Sequence, residues 1–298
     1  MKNDFFNNVR IFDGGMGQEL LNRGVKAVSN LWSASALINP KYHEIVIKTH
    51  LDFINCGSEM ILTNTFGSRK RRIIENKMID RFAEINITAG KLAKEAVIRS
   101  GKKVLIGGSL PPQNFTYISD LGSDLNFIRK SFEEQANFIL PYIDFYYLDV
   151  MSSFKECELA IESISKFNKP IIIGIHIRQK GKLPSDEEFP DVLKKIIRFK
   201  PLAIILTCVS PEDFNFVVPY LKGIDIPWGF KFNAFEFIPL GWKPDSNNPK
   251  SELGSREDLT PKKFKDLAEK YVKLGAKIVG GCCEITPRHI KELSSLKL

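Results

Sequence analysis

Residues 170–209 read PIIIGIHIRQKGKLPSDEEFPDVLKKIIRFKPLAIILTCV and hold two short runs of aliphatic residues, PIIIGIHI at the start and LAIILTCV at the end. Both runs are almost continuously apolar, which is typical of strands in a parallel sheet that is covered on both faces. The longer stretch between them has helical periodicity. The pattern therefore predicts a strand, a helix and a second strand that runs parallel to the first.

The same unit recurs along the whole chain of 298 residues, which contains eight such apolar runs. The other six begin at Val9, Glu59, Lys103, Phe145, Pro227 and Ala276. Eight strand–helix repeats in this length predict an α/β fold, a single (β/α)8 TIM barrel that forms one domain over residues 1–298. A doubly wound open sheet fits less well, because none of the strands is followed by a phosphate-binding glycine fingerprint.

Composition limits the partners and the location of the chain. Its residues are 43% hydrophobic and 26% charged, which is normal for a globular protein with a substantial core. No apolar run is long enough to span a membrane, and the N-terminus lacks the apolar core of a signal peptide. We therefore expect a cytoplasmic protein with no membrane partner.

The formal net charge of +8 raises the question of nucleic-acid binding. The densest basic cluster, SRKRRIIENK from Ser68 to Lys77, is followed by acidic residues and has the pattern of a solvated helix face. We therefore expect no nucleic-acid partner. A homo-oligomer is compatible with the sequence, which does not determine the oligomeric state.

The polar residues at the C-terminal ends of the predicted strands are the candidates for a functional site, because TIM-barrel active sites lie at that end. They are Asp13, Gly14, Asn64, Thr65, Ser109, Asp149, His176, Cys208, Asn233, Cys282 and Cys283. Three of the five cysteines of the chain are in this group. An odd number of cysteines in a reducing compartment argues against a disulfide framework.

Cys282 and Cys283 are adjacent, and Gly280 and Gly281 before them permit the unusual backbone turn that would bring both thiols to one point. With Cys208 they could form a three-thiolate site with an open fourth position, the pattern of a catalytic zinc. Two other interpretations remain open from placement alone. Small thiols also pack well in buried cores, and adjacent cysteines can form a redox-active pair.

Several motifs together resemble those of the homocysteine S-methyltransferase family, over nearly the whole chain. They are IFDGGMGQELLNRG (11–24), LWSASALINP (31–40), ILTNTFGS (61–68), GSLPP (108–112), NAF (233–235) and GAKIVGGCCEITPRHI (275–290). The GGCC sequence after a strand is the most specific of them. Members of this family are zinc-dependent barrels, related to the betaine– and S-methylmethionine–homocysteine methyltransferases.

The resemblance implies the chemistry of the site. Zn²⁺ would be bound by Cys208, Cys282 and Cys283, and Asp13 with Gly14 would hold the amino acid part of homocysteine. Further substrate contacts are expected from Asn64, Asp149 and Asn233. The expected partners are small molecules: homocysteine and an onium methyl donor such as S-methylmethionine, betaine or a related sulfonium.

Two positions depart from the family pattern. Asp149 stands at the end of strand four where many members carry a glutamate, and Thr207 precedes Cys208 where an asparagine is usual. Neither change removes a predicted metal ligand. Two alternatives to a self-contained methyltransferase remain open: a catalytic module that works with a separate cobalamin protein, and a non-catalytic zinc or thiol sensor.

Aromatic side chains near the strand ends are candidates for holding an onium group, because a cation is attracted to the face of an aromatic ring. They are Phe66, Tyr117, Phe235 and Trp242. For each of them, simple packing is the alternative. Residues 236–258 form a long loop that could cover the site or be a surface insertion.

Overall fold

Eight parallel strands form the centre of the protein, and helices follow each strand on the outside. The computed structural model describes residues 3–243 and 248–296. The strands are β1 (Arg10–Ile11), β2 (Met60–Leu62), β3 (Leu105–Leu110), β4 (Phe145–Met151), β5 (Ile171–Ile175), β6 (Ala203–Val209), β7 (Trp228–Phe232) and β8 (Ile278–Gly281). The α-helices are α1 (Met16–Asn22), α2 (Ser35–Ile38), α3 (His43–Asn55), α4 (Lys70–Glu75), α5 (Phe82–Ser100), α6 (Leu125–Ile139), α7 (Phe154–Ile164), α8 (Phe189–Ile196), α9 (Pro211–Leu221), α10 (Lys250–Leu253), α11 (Pro261–Lys273) and α12 (Pro287–Leu293).

The strands are hydrogen-bonded in the order β1-β8-β7-β6-β5-β4-β3-β2, and every pair is parallel. An isolated parallel bridge between Phe12 and Met60 joins the two ends of this sheet. The amide of Asp13 also donates to the carbonyl of Met60 at 3.0 Å. These contacts bring the sheet round into a barrel, which confirms the predicted (β/α)8 architecture.

Alternate residues of each strand point into the barrel and outward to the helices, as the period of two in a strand requires. In β6, Ala203 and Ile205 belong to the inner cluster, whereas Ile204 and Leu206 pack against the helical shell. The inner cluster contains Phe6, Phe12, Met60, Leu62, Phe145, Tyr147, Ile172, Ala203, Ile205 and Ile278. Side chains therefore fill the barrel, and its chemistry is limited to the rim.

Two strands lose their regular register at the rim. The pairing of β4 with β5 shifts between Leu148 and Met151, and the pairing of β6 with β7 shifts between Thr207 and Val209. Such bulges re-aim a side chain at the end of a strand. The two irregular segments contain Asp149 and Cys208, so the bulges lie where the sequence predicts functional residues.

Helix starts follow the capping chemistry of the sequence. Thr260 precedes α11, and its side chain accepts a hydrogen bond from the amide of Lys263. Thr286 precedes α12 in a capping box whose other member is His289. This contact gives His289 a structural role at the start of α12. Within the described ranges, no helix combines the length and the apolar character needed to cross a bilayer.

Candidate metal centre and substrate pocket

Three cysteines converge at the C-terminal rim of the barrel. The Sγ atoms of Cys208, Cys282 and Cys283 all lie within 4.8 Å of one another. Cys208 and Cys283 are buried, and Cys282 is partly exposed. The amide of Cys282 donates to the carbonyl of Phe232 at 2.6 Å, which fixes the end of β8 against β7. The arrangement could hold one metal ion between the three sulfurs.

The electrostatics of these thiols favour a bound cation. Burial acts against a thiolate at Cys208, but hydrogen bonds from Cys282, Cys283 and Tyr117 outweigh it and lower the pKa of Cys208. Hydrogen bonds with Cys208 and Cys282, together with burial, raise the pKa of Cys283. Once one cysteine has lost its proton, its negative charge makes deprotonation of the next cysteine less favourable. A bound divalent cation offsets this repulsion, so the three cysteines fit a soft metal that prefers thiolate ligands.

The Tyr117 hydroxyl is 2.9 Å from the Sγ atom of Cys208. Burial and the charge of Cys208 raise the pKa of Tyr117 well above its usual value, so the phenol stays protonated and donates to the sulfur. Its ring lies 4.7 Å from the ring of His176 and 5.9 Å from that of Trp242. The tyrosine is thus held from both sides while it contacts the cysteine.

A Tyr117→Phe variant should weaken metal binding by about 10-fold, because hydrogen bonds to a ligand from outside the coordination sphere orient it and typically contribute 10–100-fold to affinity. Competition with a chelator of known affinity measures the change. Tyr42→Phe is the matched control, because the Tyr42 hydroxyl lies at the surface beside the amide of Lys26, and the affinity should stay unchanged. An unaltered affinity in Tyr117→Phe would show that the hydroxyl does not support Cys208.

Backbone strain accompanies this arrangement. Cys208 has φ 55°, Tyr117 has φ 63° and Val150 has φ 64°. Positive φ is costly for residues with a side chain and most of all for a β-branched valine, so such positions persist only where the surrounding structure holds them. All three border the same pocket.

Asp13 and Lys231 form a buried ion pair beside the cysteines. The Lys231 Nζ atom is 2.5 Å from Oδ1 of Asp13, and their side chains are only 3% and 1% exposed. The other carboxylate oxygen accepts a hydrogen bond from the amide of Leu62 at 2.8 Å. Burial raises the pKa of Asp13, and the Lys231 charge partly offsets that rise. Lys231 was not identified from the sequence, although a single lysine in the otherwise apolar strand WGFKF indicates a buried charge.

Gly14 follows Asp13 and lies directly against the loop after the cysteines. A Cβ atom at this position would be 2.3 Å from the carbonyl oxygen of Ile285. The amide of Gly15 donates to the same carbonyl at 2.8 Å. No larger residue fits here without displacing the segment that carries Cys283.

Asp149 lies at the bulge of β4 and lines the same pocket. Its carboxylate accepts hydrogen bonds from the hydroxyls of Ser109 at 3.0 Å and Thr207 at 3.5 Å. Burial, with the nearby charge of Cys282, raises the pKa of Asp149 to about 7. Thr207, one of the two departures from the family pattern, is thus in contact with Asp149, the other departure.

Asn64 and Asn233 take different positions. Asn64 lines the pocket, and its side-chain amide donates to the carbonyl of Ser33 at 3.0 Å. Asn233 instead donates to the carbonyl of Cys208 at 2.7 Å and accepts a hydrogen bond from the amide of Phe235. Its side chain borders a neighbouring groove, so the visible role of Asn233 is to hold the Cys208 segment. A substrate contact from it stays a prediction.

The pocket above the cysteines has an aromatic wall. Phe66, Tyr117, Phe235 and Trp242, the four aromatic residues that the sequence suggested, all line it. Trp32 lines it too, with its ring 6.1 Å from that of Phe66, and was missed. Trp242 comes from the long loop 236–258, of which residues 244–247 lie outside the described residues.

The basic cluster Ser68–Lys77 differs from the predicted solvated face. Arg69 and Arg72 are only 3% and 4% exposed. Arg69 donates to the carbonyl of Pro112 and to the hydroxyl of Thr116, whereas Arg72 lines the pocket. The prediction of a solvated face is therefore wrong for these two arginines, which the loop after β2 turns inward, although Glu75 and Lys77 of the same cluster are exposed.

His176 is buried against Tyr117, and its Nδ1 atom lies 3.4 Å from the carbonyl of Thr207. Burial lowers its pKa to about 4, so the ring is neutral at physiological pH. The neutral ring packs against Tyr117 and helps to hold that tyrosine in place.

Comparison with known proteins decides the family. The sequence profile of homocysteine S-methyltransferases matches residues 10–296. The chain belongs to the homocysteine S-methyltransferase family. Homocysteine S-methyltransferase 2 of Saccharomyces cerevisiae is 25% identical, over 96% of this chain and 93% of that protein. Betaine–homocysteine S-methyltransferase 1 of Danio rerio is also 25% identical, over 96% of this chain and 72% of its own length.

A solved structure is similar in fold. The metallated form of the Escherichia coli homocysteine methyltransferase MmuM superposes with a TM-score of 0.80, at 18% identity over 97% of this chain and 96% of that one. Membership of the family makes this chain a methyltransferase that acts on homocysteine.

Proposed function

We propose that Cys208, Cys282 and Cys283 hold a zinc ion, and that the chain transfers a methyl group from a small onium donor to homocysteine, giving methionine. S-methylmethionine, betaine or a related sulfonium would serve as the donor. The observation that carries the proposal is the convergence of three sulfurs within 4.8 Å at the base of an aromatic-walled pocket. Three protein ligands with a further position open is the pattern of a catalytic zinc site.

A zinc ion held by Cys208, Cys282 and Cys283 would lower the pKa of a substrate thiol, so that the thiol would react as the more nucleophilic thiolate. The rest depends on the side chains around it. Asp149 would bind the ammonium group of homocysteine, since it is a carboxylate in a buried site with two hydroxyls to orient it. Asp13, held by Lys231, would complete the pocket for the amino acid part, with the backbone of Gly14 alongside.

The transfer itself balances simply. The sulfur of homocysteine forms a bond to the methyl carbon while the bond from that carbon to the donor's sulfur or nitrogen breaks. The electron pair of the broken bond stays on the donor atom, which leaves uncharged, and the thiol proton is released to solvent. A thiolate and a cation therefore combine to neutral products, a step that an aromatic, water-poor pocket favours.

A screen of onium donors tests the proposal. Protein purified under reductant and loaded with zinc is incubated with homocysteine and each of S-methylmethionine, betaine and dimethylsulfoniopropionate, and methionine is measured. Production of methionine with at least one donor, and none without zinc, is expected. Zinc-loaded protein that forms no methionine with any donor contradicts the proposal and favours a non-catalytic metal-binding role.

Replacing Asp149 should separate substrate binding from metal binding. We expect Asp149→Asn to raise the KM for homocysteine by about 10–100-fold, because a hydrogen-bonded charge pair with the ammonium group is lost. Zinc content should not change, since Asp149 is not one of the three ligands. Asp266→Asn, on the exposed face of α11, is the matched control. An unchanged KM would remove Asp149 from the substrate site.

The state of the cysteines bears on the location of the chain. No disulfide joins the five cysteines, which all lie in the described residues, and this is usual in a reducing compartment. This supports the proposal that the chain acts in the cytoplasm.

A further inference from the structure

Glu284 directly follows the last of the three cysteines and has a backbone conformation that a glutamate seldom adopts. Its φ angle is 64°, in the left-handed region that favours glycine because a Cβ atom is strained there. Its side chain is nevertheless only 5% exposed. A charged side chain that is buried at a strained position needs compensating contacts. The partners of its carboxylate therefore indicate what Glu284 does.

The carboxylate of Glu284 accepts hydrogen bonds from two other parts of the chain. Its Oε1 atom accepts one from Nε2 of Gln18, in α1, at 2.9 Å. Its Oε2 atom accepts one from Nζ of Lys250 at 2.8 Å and another from Oγ of Ser255 at 3.1 Å. One side chain thus joins the loop that carries the cysteine pair to α1 and to residues 248–256.

Residues 248–256, which we call the covering segment, lie over the cysteines. Pro249 lines the pocket, and Leu253 belongs to the same buried cluster as Cys208 and Cys283. The segment contains α10 and bends at Gly254, whose φ angle of 68° is one that glycine adopts without strain. The covering segment is therefore a short helical piece with a glycine bend at its C-terminal side.

The two halves of the covering segment are held in different ways. Among the described residues, its backbone makes two backbone hydrogen bonds to the rest of the chain, both from its C-terminal half to residues 234–236. Its N-terminal half is held through side chains: Asn248 accepts a hydrogen bond from Gln18 at 3.1 Å, and Lys250 pairs with Glu284. Release of these side-chain contacts would free the N-terminal half while the C-terminal half stays attached.

Gln18 connects the same contacts to the aromatic wall of the pocket. Its side chain is 2% exposed, and its Oε1 atom accepts a hydrogen bond from Nε1 of Trp32 at 2.9 Å. Trp32 lines the pocket. The wall, the cysteine loop and the covering segment are therefore held in one arrangement, with the carboxylate of Glu284 at its centre.

We propose that Glu284 holds the covering segment closed over the cysteines, and that release of its carboxylate opens the segment to admit homocysteine. The inference rests on the proposed function for the identity of the molecule that enters. A segment held mainly by side chains opens at a low free-energy cost, unlike a strand of the barrel, and closure excludes water from the reaction. Glu284 acts through the segment and is thus a positioning residue.

Amide hydrogen exchange of residues 248–256, followed by mass spectrometry on the zinc-loaded protein, measures the opening. We expect exchange there to be about 10–100-fold faster in Glu284→Gly, the factor that matches the loss of hydrogen bonds to a charged group. Glycine suits the positive φ angle at 284, so the variant removes the carboxylate without straining the cysteine loop. Exchange in α5 and the zinc content should not change.

Lys200→Gly is the matched control. Lys200 also has a positive φ angle, 50°, and is exposed in the turn before β6, at the opposite end of the barrel from the cysteines. The same kind of substitution there should leave exchange of the covering segment unchanged. A rise in that control would show that glycine at a left-handed position loosens the chain in general, and would overturn the role of the carboxylate.

Lys250→Met removes the partner on the covering segment. Its exchange should be faster than in the unaltered protein but slower than in Glu284→Gly, because the bonds from Gln18 and Ser255 to Glu284 remain. The double variant should exchange about as fast as Glu284→Gly alone, since both substitutions break the same contact. Fully additive effects would mean that the two residues act separately, which contradicts the inference.

The rates of homocysteine binding test the opening itself. Zinc-loaded protein is mixed with homocysteine, without a methyl donor, and tryptophan fluorescence is followed, since Trp32 and Trp242 line the pocket. If homocysteine enters and leaves through the open state, both rates scale with the population of that state. We expect Glu284→Gly to raise association and dissociation by a similar factor, about 10-fold or more, with the dissociation constant almost unchanged.

Three results contradict the inference. Unchanged exchange of residues 248–256 in Glu284→Gly means that the carboxylate does not hold the segment, and faster exchange over the whole chain means general destabilisation. Faster dissociation with unchanged association assigns Glu284 to support of bound homocysteine and not to admission. If Glu284→Gly does not fold, Lys250→Met decides by the same measurements. None of these experiments uses a methyl donor, so a failure of methyl transfer is detected separately.

Discussion

A Cys282→Ser variant is expected to lose its zinc, and its rate of methyl transfer is expected to fall by a factor on the order of 1000. A serine hydroxyl is a poor substitute for a thiolate as a ligand of zinc, and the two remaining sulfurs bind the ion less tightly than three. Without the metal, the thiol of homocysteine stays mostly protonated and is no longer positioned against the donor. Zinc per chain by elemental mass spectrometry and methionine formation measure the two losses together.

Cys56→Ser is the control for this experiment. Cys56 follows the last residue of α3 and is partly exposed, away from the three clustered cysteines. It should keep about one zinc per chain, as expected of a single three-ligand site. Loss of zinc in both variants would point to general damage from thiol replacement. Full zinc content in Cys282→Ser would remove that cysteine from the metal site.

A Lys231→Met variant should be destabilised by about 3–5 kcal/mol, the cost of leaving one member of a buried ion pair without its partner. Lys231 donates to both the side chain and the backbone carbonyl of Asp13, and its ammonium lies 4.5 Å from the centre of the Phe12 ring. Its removal leaves the buried carboxylate of Asp13 without its counter-ion. Denaturant unfolding of the variant and the unaltered protein measures the difference.

The double variant Asp13→Asn with Lys231→Met tests the cause. The asparagine side chain is uncharged, yet its carbonyl oxygen can still accept the hydrogen bond from the amide of Leu62, so a large part of the lost stability should return. Homocysteine binding should remain impaired, because the carboxylate is gone. A double variant as unstable as Lys231→Met alone would mean that the methionine fails to pack and that the ion pair is not the reason.

The barrel could be predicted from sequence because its strands are covered on both faces. Such strands are nearly continuous apolar blocks, and all eight predicted runs contain an observed strand. Helix caps such as Thr260 before Pro261 depend on neighbouring residues, so they can be recognised in the sequence. The three clustered cysteines were predictable for a related reason, since the strand ends of a barrel meet at one rim.

How Cys208 reaches the site could not be read from the sequence. In β6, Ala203 and Ile205 face into the barrel, so regular alternation would turn Cys208 outward. The bulge between Thr207 and Val209 and the positive φ of Cys208 place the thiol at the rim. Register shifts of this kind depend on the neighbouring strand, which local sequence does not describe.

The buried charged residues of the pocket could not be identified from the sequence either. Lys231 and Arg72 were not identified because charge in a sequence is usually a sign of exposure. Arg72 sits in a run of basic residues that looks solvated, and only the turn of the chain after β2 carries it inward. Buried charges of this kind depend on tertiary pairing, which the local sequence does not describe.

X-ray absorption at the zinc edge, recorded with and without homocysteine, shows whether the thiol of homocysteine binds the metal. We predict three sulfur neighbours at about 2.3 Å in the zinc-loaded protein, and a fourth at a similar distance when homocysteine is added. A spectrum with three sulfurs that does not change with homocysteine would contradict the proposed mechanism, because the thiol would then react without reaching the metal. Fewer than three sulfurs in the starting protein would contradict the cysteine site itself.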